Sequence, residues 1–389
     1  VWKSVDDDDF KLNIDANNTI LPEQPVSISF HLATWDLNPI KADDALVSFD
    51  YDTQLHIEKK SKKNSRNLLT GLSTLKTYAA TLYSNSHLKI GDAVVQQNVL
   101  PVYACFTTED IHASRKIDRK KFKEYAQKPS FGYFECYDCR GLFDYWLERL
   151  LVLQEAEIGE QEIECVRKAI SKCLGANGAG IIEDMVIRPV RGKVFFKYTD
   201  GRYVESSILS DGYKRLVNIV VDIAIRCALL NKGMYGSEAY WQTHGTVIID
   251  EIDEHLHPAL QSKVLKSLHQ TFPEIQFIVS THAPLVMSSV EKSKDNVVYR
   301  LWYDEEEHDY KHVELNTYGL DSNLILEEEM FVDSRDSIVS EQLKDIKRLV
   351  SERKLAEAKT LLADLETKTS PSQPSLIKIH SLINRLESR

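Results

Sequence analysis

The sequence predicts an α/β fold that combines a mostly parallel central sheet, an antiparallel β-layer, a helical lateral lobe and a C-terminal helical extension. Three observations support this prediction. Short, continuous apolar runs in the second half of the chain are typical of parallel strands covered on both faces. Residues near the start alternate between apolar and polar, as in half-buried strands, and residues in the middle and at the end repeat apolar positions at helical spacing.

The N-terminal segments predict the antiparallel layer. Residues Val26–Leu32, 45–51 and 54–58 alternate apolar and polar side chains. The basic run 59–66 is interpreted as an exposed loop, with a phosphate-contacting patch as the alternative. Residues 67–84 have the spacing of a helix.

The middle of the chain predicts a buried strand followed by the helical lobe. Residues 99–106 form an apolar run, and residues 143–153 and 163–174 place apolar side chains on one helical face. The glycine-rich segment 175–180 is interpreted as a turn, because it lacks the Gly-Lys-Ser or Gly-Lys-Thr ending of a phosphate loop. Residues 194–198 are a predicted strand.

The second half predicts a β-α-β unit behind a buried helix. Residues 213–230 are apolar on nearly all sides, so this helix should be deeply buried. Residues 247–249 and 277–279 are the predicted parallel strands, and residues 258–270 are the crossover helix between them. Polar residues that follow both strands should meet at the carboxyl ends, where open α/β sheets bind ligands.

Three side chains at these strand ends suit phosphate chemistry. Asp250 can hold Mg²⁺ while Glu251 orients an attacking water, although two acids at a strand end are also an ordinary boundary. His282 can contact a γ-phosphate or position water, and a structural hydrogen-bonding role is the alternative.

A fourth candidate opens the buried helix. The backbone N–H groups of Ser210, Asp211 and Gly212, with the serine hydroxyl, make an anion site at a helix start. The alternative is a simple N-cap by Ser210 or Asp211.

The order and spacing of these motifs resemble the signature motif, Walker B and H-loop of ABC-type ATPases. The segments LSDGYKRLVNIVVDIA, IIDEIDEHLHP and STHAPLVMSS are similar to the RecF and OLD branch of that superfamily. Residues 318–326 and the AEAKTLLADL segment resemble the ATPases of Septu-type anti-phage systems, some of them linked to retrons. The resemblance covers roughly residues 200–389 well and the first half loosely. It implies the fold of an ABC-ATPase head.

The resemblance also implies a composite ATP site in a head-to-tail dimer, with a higher oligomer as a further possibility. The segment Ser210, Asp211 and Gly212 would bind ATP across the interface and reach its γ-phosphate. Asp250 would hold Mg²⁺, Glu251 would be the catalytic base and His282 the γ-phosphate switch. These six residues and two cofactors, ATP and Mg²⁺, are the predicted site.

One part of the family pattern is missing from the sequence, namely a Gly-rich phosphate loop with its lysine (Walker A). We expect the natural chain to extend before Val1 and to carry that loop. Without it, ATP binding would be crippled, because no lysine or amide cradle would hold the β-phosphate.

The resemblance implies partners as well as a fold. An HNH-type nuclease subunit would cut the nucleic acid, and DNA or a retron nucleic acid would be a further component. The alternatives are a non-hydrolysing scaffold and a RecF-like DNA-repair ATPase. The predicted parts are an incomplete N-terminal part of the head (1–130), the lobe (131–200), the C-terminal part of the head (201–330) and the helical extension (331–389).

The composition agrees with a globular intracellular protein. Hydrophobic residues make up 43% of 389 residues, and the net charge of −11 argues against a general nucleic-acid coat. Six cysteines are sparse for this length, and the lone C-x-x-C of Cys136 and Cys139 has no second pair to complete a zinc site. No apolar run approaches the roughly 18 residues that span a bilayer. These features favour a cytoplasmic location and no membrane partner.

Overall fold

The computed structural model describes most of the second half of the chain and selected segments of the first. The described residues are 26–32, 53–59, 68–70, 87–90, 93–96, 98–108, 129–137, 139–140, 142–307, 309–332, 337–369 and 374–387. The predicted strand 45–51 lies outside them, as do residues 60–66 of the predicted loop and residues 71–84 of the predicted helix.

The N-terminal strands form the antiparallel layer that the alternation predicts. Strands β1 (Val26–Leu32), β2 (Thr53–Lys59) and β3 (Leu68–Thr70) make a three-stranded antiparallel sheet, and β4 (His87–Ile90) pairs with β5 (Ala93–Gln96) as a hairpin. The prediction of a helix over the first residues of 67–84 was wrong. Leu68–Thr70 pair with β2 instead, because strand pairing with a neighbour outweighs a short helical pattern.

The central sheet is parallel, as predicted. Strands β6 (Val102–Phe106), β10 (Gly245–Ile249) and β11 (Ile275–Val279) are ordered β11-β10-β6. In this register Ile249 lies opposite both Phe106 and Val279, so the three strands end at the same edge. This edge is where the candidate residues meet.

The sheet is covered on one face rather than both. Val247 and Ile249 are fully buried, whereas Ile248 and Ile278 are 45% and 50% exposed. Alternate residues of a strand point to opposite faces. The prediction of two covered faces was therefore wrong for the described part of the chain.

A 25-residue helix, Asp211–Tyr235, lies at the centre of the main hydrophobic core. Helices α1 (Phe143–Glu155) and α2 (Glu160–Leu174), the predicted pair, pack against this helix, α3. Residues on nearly all sides of α3 are buried, as its apolar sequence predicts. The lobe helices therefore share one core with the central sheet, and the predicted domain boundaries stay predictions.

A second antiparallel sheet precedes α3. It consists of β7 (Ile182–Arg188), β8 (Lys193–Tyr198) and β9 (Tyr203–Glu205) in that order. Its inner residues Met185 and Phe196 are buried in the main core. Its outer face is exposed, and a short helix, α4 (Ala239–Gln242), follows α3.

The crossover between β10 and β11 differs from its prediction. Instead of one helix over 258–270 there are two, α5 (Pro258–Gln261) and α6 (Val264–Thr271). The N–H of Lys263 donates to the carbonyl of Leu260 (2.9 Å), three residues back, and this tight turn interrupts the helix. Pro258 occupies a first-turn position, as predicted.

The described part of the chain after β11 contains a β-hairpin, two short helices with a π-helical turn, and three longer helices. Helix α7 (Pro284–Met287) follows β11, and strands β12 (Val298–Asp304) and β13 (Asp309–Leu315) pair as an antiparallel hairpin. A short helix α8 (Ser322–Leu324) continues into a π-helical turn. The last three helices have their own hydrophobic cluster, which confirms the predicted helical hairpin plus one helix; they are α9 (Ser337–Ser351), α10 (Leu355–Lys368) and α11 (Pro374–Glu387).

The observed architecture confirms the α/β prediction of a parallel central sheet with antiparallel sheets and helices. Within the described residues, no helix combines the length and apolar character that crossing a membrane requires.

Candidate active site

The candidate site lies at the carboxyl ends of β10 and β11. The N–H of Asp250 donates to the carbonyl of Phe106 (2.9 Å), and the N–H of Ser280 donates to the carbonyl of Ile249 (3.0 Å). These bonds extend the sheet by one residue beyond each strand. They bring Asp250 and Ser280 side by side, both with exposed side chains.

Ser280 connects the two adjacent acids. Its hydroxyl donates to Oδ1 of Asp250 (2.5 Å) and accepts from the backbone N–H of Glu251 (2.8 Å). A single side chain therefore orients the Asp250 carboxylate and fixes the backbone of the next residue. Such bonds to a charged acceptor are stronger than neutral ones.

Glu251 has an unusual backbone conformation. Its φ of 46° lies in the left-handed region, which costs a non-glycine residue of order 1–3 kcal/mol unless the surroundings hold it there. Ser280 holds its N–H, and the guanidinium of Arg215 contacts its carbonyl (3.2 Å). Glu251 is half-buried in this turn, directly after the end of β10.

Arg215 ties the long helix α3 to this turn. Its side chain is 1% exposed, and it donates to the carbonyl of Asp250 (2.6 Å) and forms an ion pair with Glu254. Its Nε has no hydrogen-bond partner among the described residues. The start of α3 and the acidic turn are therefore held together by one buried cation.

Gly212 shows why a glycine opens α3. A Cβ at this position would lie 2.3 Å from the carbonyl oxygen of His255, which is too close for any side chain. Close packing of the helix start against the turn after Glu251 is thus a sufficient reason for this glycine. The predicted contact between Gly212 and a phosphate remains a prediction.

Ser210 and Asp211 are exposed at the start of the helix. Ser210 occupies the N-cap position, with φ −62° and ψ 152°, but its side chain makes no capping hydrogen bond. The simple N-cap alternative therefore does not account for the serine hydroxyl. The first N–H groups of a helix also lack partners within the helix, so an exposed helix start can bind an anion.

His282 lies two residues beyond Ser280. Its ring is exposed and has no hydrogen-bond partner among the described residues. The preceding residue, Thr281, donates to the carboxylate of Asp253 and accepts from the N–H of Ala283 (3.0 Å). The backbone around His282 is fixed while its imidazole stays available.

The two histidines after the acidic pair have structural contacts. His257 caps α5, because its Nδ1 accepts from the N–H of Ala259 (3.2 Å), and Nε2 of His255 lies 3.6 Å from Glu254. No group of three metal-ligating side chains occurs among the described residues. This does not conflict with a magnesium site, since proteins hold Mg²⁺ through one or two carboxylates together with substrate phosphates.

Asp250 fits that role. One carboxylate oxygen accepts from Ser280, and the other has no partner among the described residues and points from an exposed strand end. Carboxylate oxygen is the ligand type that Mg²⁺ prefers.

Sequence reasoning identified the acids and the histidine but missed two residues that position them, Ser280 and Arg215. A signal for Ser280 was present, because the residue after β11 must lie beside the residue after β10. A signal for Arg215 was weaker: a cation within an otherwise apolar helix must find a buried partner.

A family model matches residues 75–288, which is more than half of the chain and includes every candidate residue above. Its description is "AAA domain, putative AbiEii toxin, Type IV TA system". The chain belongs to this family.

Individual curated proteins give more specific matches than the family model. The chain is 44% identical over 95 residues to "Retron Vc95 probable ATPase" of Vibrio cholerae serotype O1 biovar El Tor, covering 24% of this chain and 18% of that protein. It is 31% identical over 175 residues to "Retron Ec83 probable ATPase" of Escherichia coli, covering 44% and 30%. It is 26% identical over 198 residues to "Septu protein PtuA" of Bacillus thuringiensis, covering 49% and 46%. The predicted resemblance to ATPases of the Septu and retron systems is confirmed, and this chain spans less than half of each relative.

Among solved structures, this chain is similar to the Smc head domain from Pyrococcus furiosus, which was solved with the C-terminal domain of ScpA bound. The two sequences are 15% identical, and the match covers 81% of this chain and 80% of the other. The TM-score is 0.42, and a score this low supports no inference about function.

Proposed function

We propose that this chain is the ATP-binding and ATP-hydrolysing subunit of a prokaryotic anti-phage defence system, acting in the cytoplasm. The observation that carries the proposal is the group formed by Asp250, Ser280 and Glu251 at the carboxyl ends of two parallel strands. The family and the names of the relatives, two of them "probable ATPase", support the same activity.

Each residue has a role in this proposal. Asp250 holds Mg²⁺, which when bound with ATP neutralises phosphate charge. Glu251 accepts a proton from the attacking water, and its strained backbone fixes the direction of its side chain. Ser280 orients Asp250, Arg215 holds the turn, and His282 contacts the γ-phosphate.

The proposal includes a head-to-tail dimer, and a higher oligomer is compatible with it. Ser210 and Asp211 are exposed, and the serine hydroxyl is unused within the helix cap. Both properties support binding of ATP that is held mainly by a second subunit. Nucleotide would then be an interfacial ligand that controls assembly.

The dimer would regulate a partner nuclease of the HNH type, with DNA or a retron nucleic acid as a further component. The relatives' association with Septu and retron systems supports this part of the proposal.

The decisive experiment measures ATP turnover by the full-length protein and by Glu251→Gln. The amide keeps the size of the side chain but cannot accept the proton, so turnover should fall by about 10²–10⁴-fold. ATP binding should persist and the dimer should accumulate with ATP. Glu155→Gln, an exposed acid at the end of α1 and far in sequence from the motifs, is the matched control and should leave turnover unchanged.

Three outcomes would contradict parts of the proposal. Equal turnover by the parent protein and Glu251→Gln would exclude Glu251 as the base. ATP binding without turnover by the parent protein would favour the non-hydrolysing scaffold. Tight, steeply salt-dependent duplex binding without any co-expressed nuclease would favour a RecF-like repair ATPase.

A further inference from the structure

The outer face of the β7-β8-β9 sheet carries a group of cations and aromatic rings that the candidate active site does not use. Its residues point away from the core because they alternate with the buried residues Met185, Val194 and Phe196. We call the following set the basic sheet face: Arg188, Arg191, Lys193, Phe195, Lys197 and Tyr203.

Two cations of this face are unpaired. Arg188 and Arg191 are exposed, and neither guanidinium has an ion-pair or hydrogen-bond partner among the described residues. By contrast, Lys193 pairs with Glu205 (2.6 Å) and Lys197 pairs with Glu183 (2.8 Å). The acids on this face are therefore occupied, and two positive charges remain uncompensated.

The unpaired arginines also lie among like charges. Arg188 is the direct cross-strand partner of Lys193, and Arg191 ends the tight turn between their strands. Like charges directly opposite each other destabilise a β-ladder. An anionic ligand at this turn would relieve the repulsion.

Aromatic rings lie beside the arginines. Arg188, Arg191, Phe195 and Tyr203 line one open cleft of about 210 Å³, together with Val186. Tyr203 is 59% exposed, so the face of its ring is accessible for stacking. Guanidinium groups next to accessible rings match the two parts of a nucleotide, a phosphate and a planar base.

We propose that the basic sheet face binds single-stranded nucleic acid, with Arg188 and Arg191 on successive phosphates and Tyr203 stacked on a base. Phe195, which also lines the cleft, offers a second apolar surface to the base. An unpaired strand is favoured over a duplex because the bases of a duplex are stacked on one another and do not offer a face to Tyr203. The net charge of −11 argues against general binding of polyanions, so binding would depend on a local basic patch such as this one.

The inference rests on the proposed function only in naming where its nucleic-acid component binds. Binding of a nucleic-acid strand to the basic sheet face requires neither bound ATP nor ATP turnover. A binding assay without ATP therefore tests this proposal separately from the ATPase proposal. Failure of this proposal leaves the ATPase proposal standing, and the reverse is also true.

The experiment measures binding of fluorescein-labelled dT20, rU20 and a 20-base-pair duplex to the full-length protein by anisotropy, over a range of salt concentrations. The double variant Arg188→Ala/Arg191→Ala should weaken binding of the single strands about tenfold or more, and should reduce the magnitude of the slope of log K against log salt by about 1.4, for two lost phosphate contacts. Relative affinities for dT20 and rU20 identify whether DNA or RNA is preferred.

A second pair of variants tests the stacked base. Tyr203→Ala should weaken single-strand binding by about fivefold or more without changing the salt slope, because stacking is not ionic. Tyr203→Phe keeps the ring and should retain the parent affinity. A merely structural role for the tyrosine would not give a salt-independent loss that phenylalanine rescues.

The matched control removes two exposed positive charges elsewhere. Lys344 and Lys347 on α9 have no ion-pair partners among the described residues, so Lys344→Ala/Lys347→Ala changes the net charge equally. It should leave binding unchanged. The proposal is overturned if this control weakens binding as much as the arginine variant, if no single strand binds, or if the duplex binds as tightly as dT20 with Tyr203→Ala unaffected.

Discussion

Two pairs of polar side chains on helix α3 are equally buried but differ in their hydrogen bonding: Arg215 and Asn218 in its first turns, and Asp222 and Arg226 in its middle. In the middle, Asp222 and Arg226 form a buried ion pair (2.5 Å), and each has further partners. In the first turns, both amide atoms of Asn218 and Nε of Arg215 lack hydrogen-bond partners among the described residues. Buried polar groups are nearly always satisfied, so the exceptions require an explanation.

In the middle of the helix, the side chains of Asp222 and Arg226 have further hydrogen-bond partners besides each other. The indole of Trp146 donates to Asp222, and Arg226 donates to the carbonyls of Gly132 (2.9 Å) and Phe134 (2.8 Å). The charge of Asp222 raises the pKa of Arg226 against the lowering effect of burial, so the arginine stays charged. This region stabilises the fold.

The first turns of α3, by contrast, lie beside the candidate site. Arg215 reaches the carbonyls of Asp250 and Glu251, and Ser210 presents an unused hydroxyl. Proteins violate local rules of polar satisfaction mainly at functional sites. The difference supports the proposal that α3 is a structural element in its middle and contributes to the candidate site at its start.

The largest effect is expected from breaking the middle. Asp222→Ala leaves Arg226 buried without its carboxylate, and the free energy of unfolding should fall by about 3–5 kcal/mol. Denaturant unfolding measures this loss. The matched control, Asp200→Ala, removes an exposed partner of Arg202 and should cost far less. Equal losses for the two variants would show that the buried network adds no stability of its own.

The second-largest effect is expected at Arg215, which connects helix α3 to the acidic turn of the candidate site. Arg215→Lys keeps the charge but cannot reach two carbonyls and Glu254 together, so stability should fall by about 1–3 kcal/mol. ATP turnover should fall by more than this stability loss explains, because the Glu251 turn loses a fixed point. Turnover measured well below the unfolding temperature separates the effects. A variant that loses stability but keeps parent turnover would make Arg215 purely structural.

The sequence predicts the features of the fold that depend on a repeated apolar pattern, but not those that depend on a single contact. Short apolar runs predict the parallel strands β10 and β11, and apolar residues on nearly all sides of a helical segment predict the buried helix α3. The break between α5 and α6 depends on one i→i−3 hydrogen bond at Lys263 that no pattern encodes.

The site shows the same limit. Asp250 and His282 are recognisable at strand ends, whereas the role of Ser280 requires the β10–β11 register. The role of Gly212 requires knowledge of what a Cβ would meet, namely the His255 carbonyl. Long-range contacts of this kind are not visible in a local sequence window.

A smaller effect on stability is expected at the N-cap. A capping serine contributes about 1 kcal/mol, but Ser210 makes no capping bond, so Ser210→Ala should change the free energy of unfolding by less than about 0.5 kcal/mol. ATP-dependent dimerisation and turnover should nevertheless decrease. Thermal unfolding and turnover of the same preparation test both. A loss near 1 kcal/mol with parent turnover would restore the simple N-cap interpretation.

The smallest loss of stability is expected at Asn218, and this variant tests the comparison most directly. Leucine has the same branched arrangement of side-chain heavy atoms and no amide to leave unsatisfied, so Asn218→Leu should keep or raise the free energy of unfolding by up to about 1 kcal/mol. Asn231→Leu, near the C-terminal end of the same helix, is the matched control. Asn231 exchanges hydrogen bonds of 2.8 Å with both backbone groups of Leu100, and its loss should be destabilising. If Asn218→Leu also destabilises the protein, the two halves of α3 are equally structural. If it preserves stability but lowers turnover, the unsatisfied amide belongs to the nucleotide site.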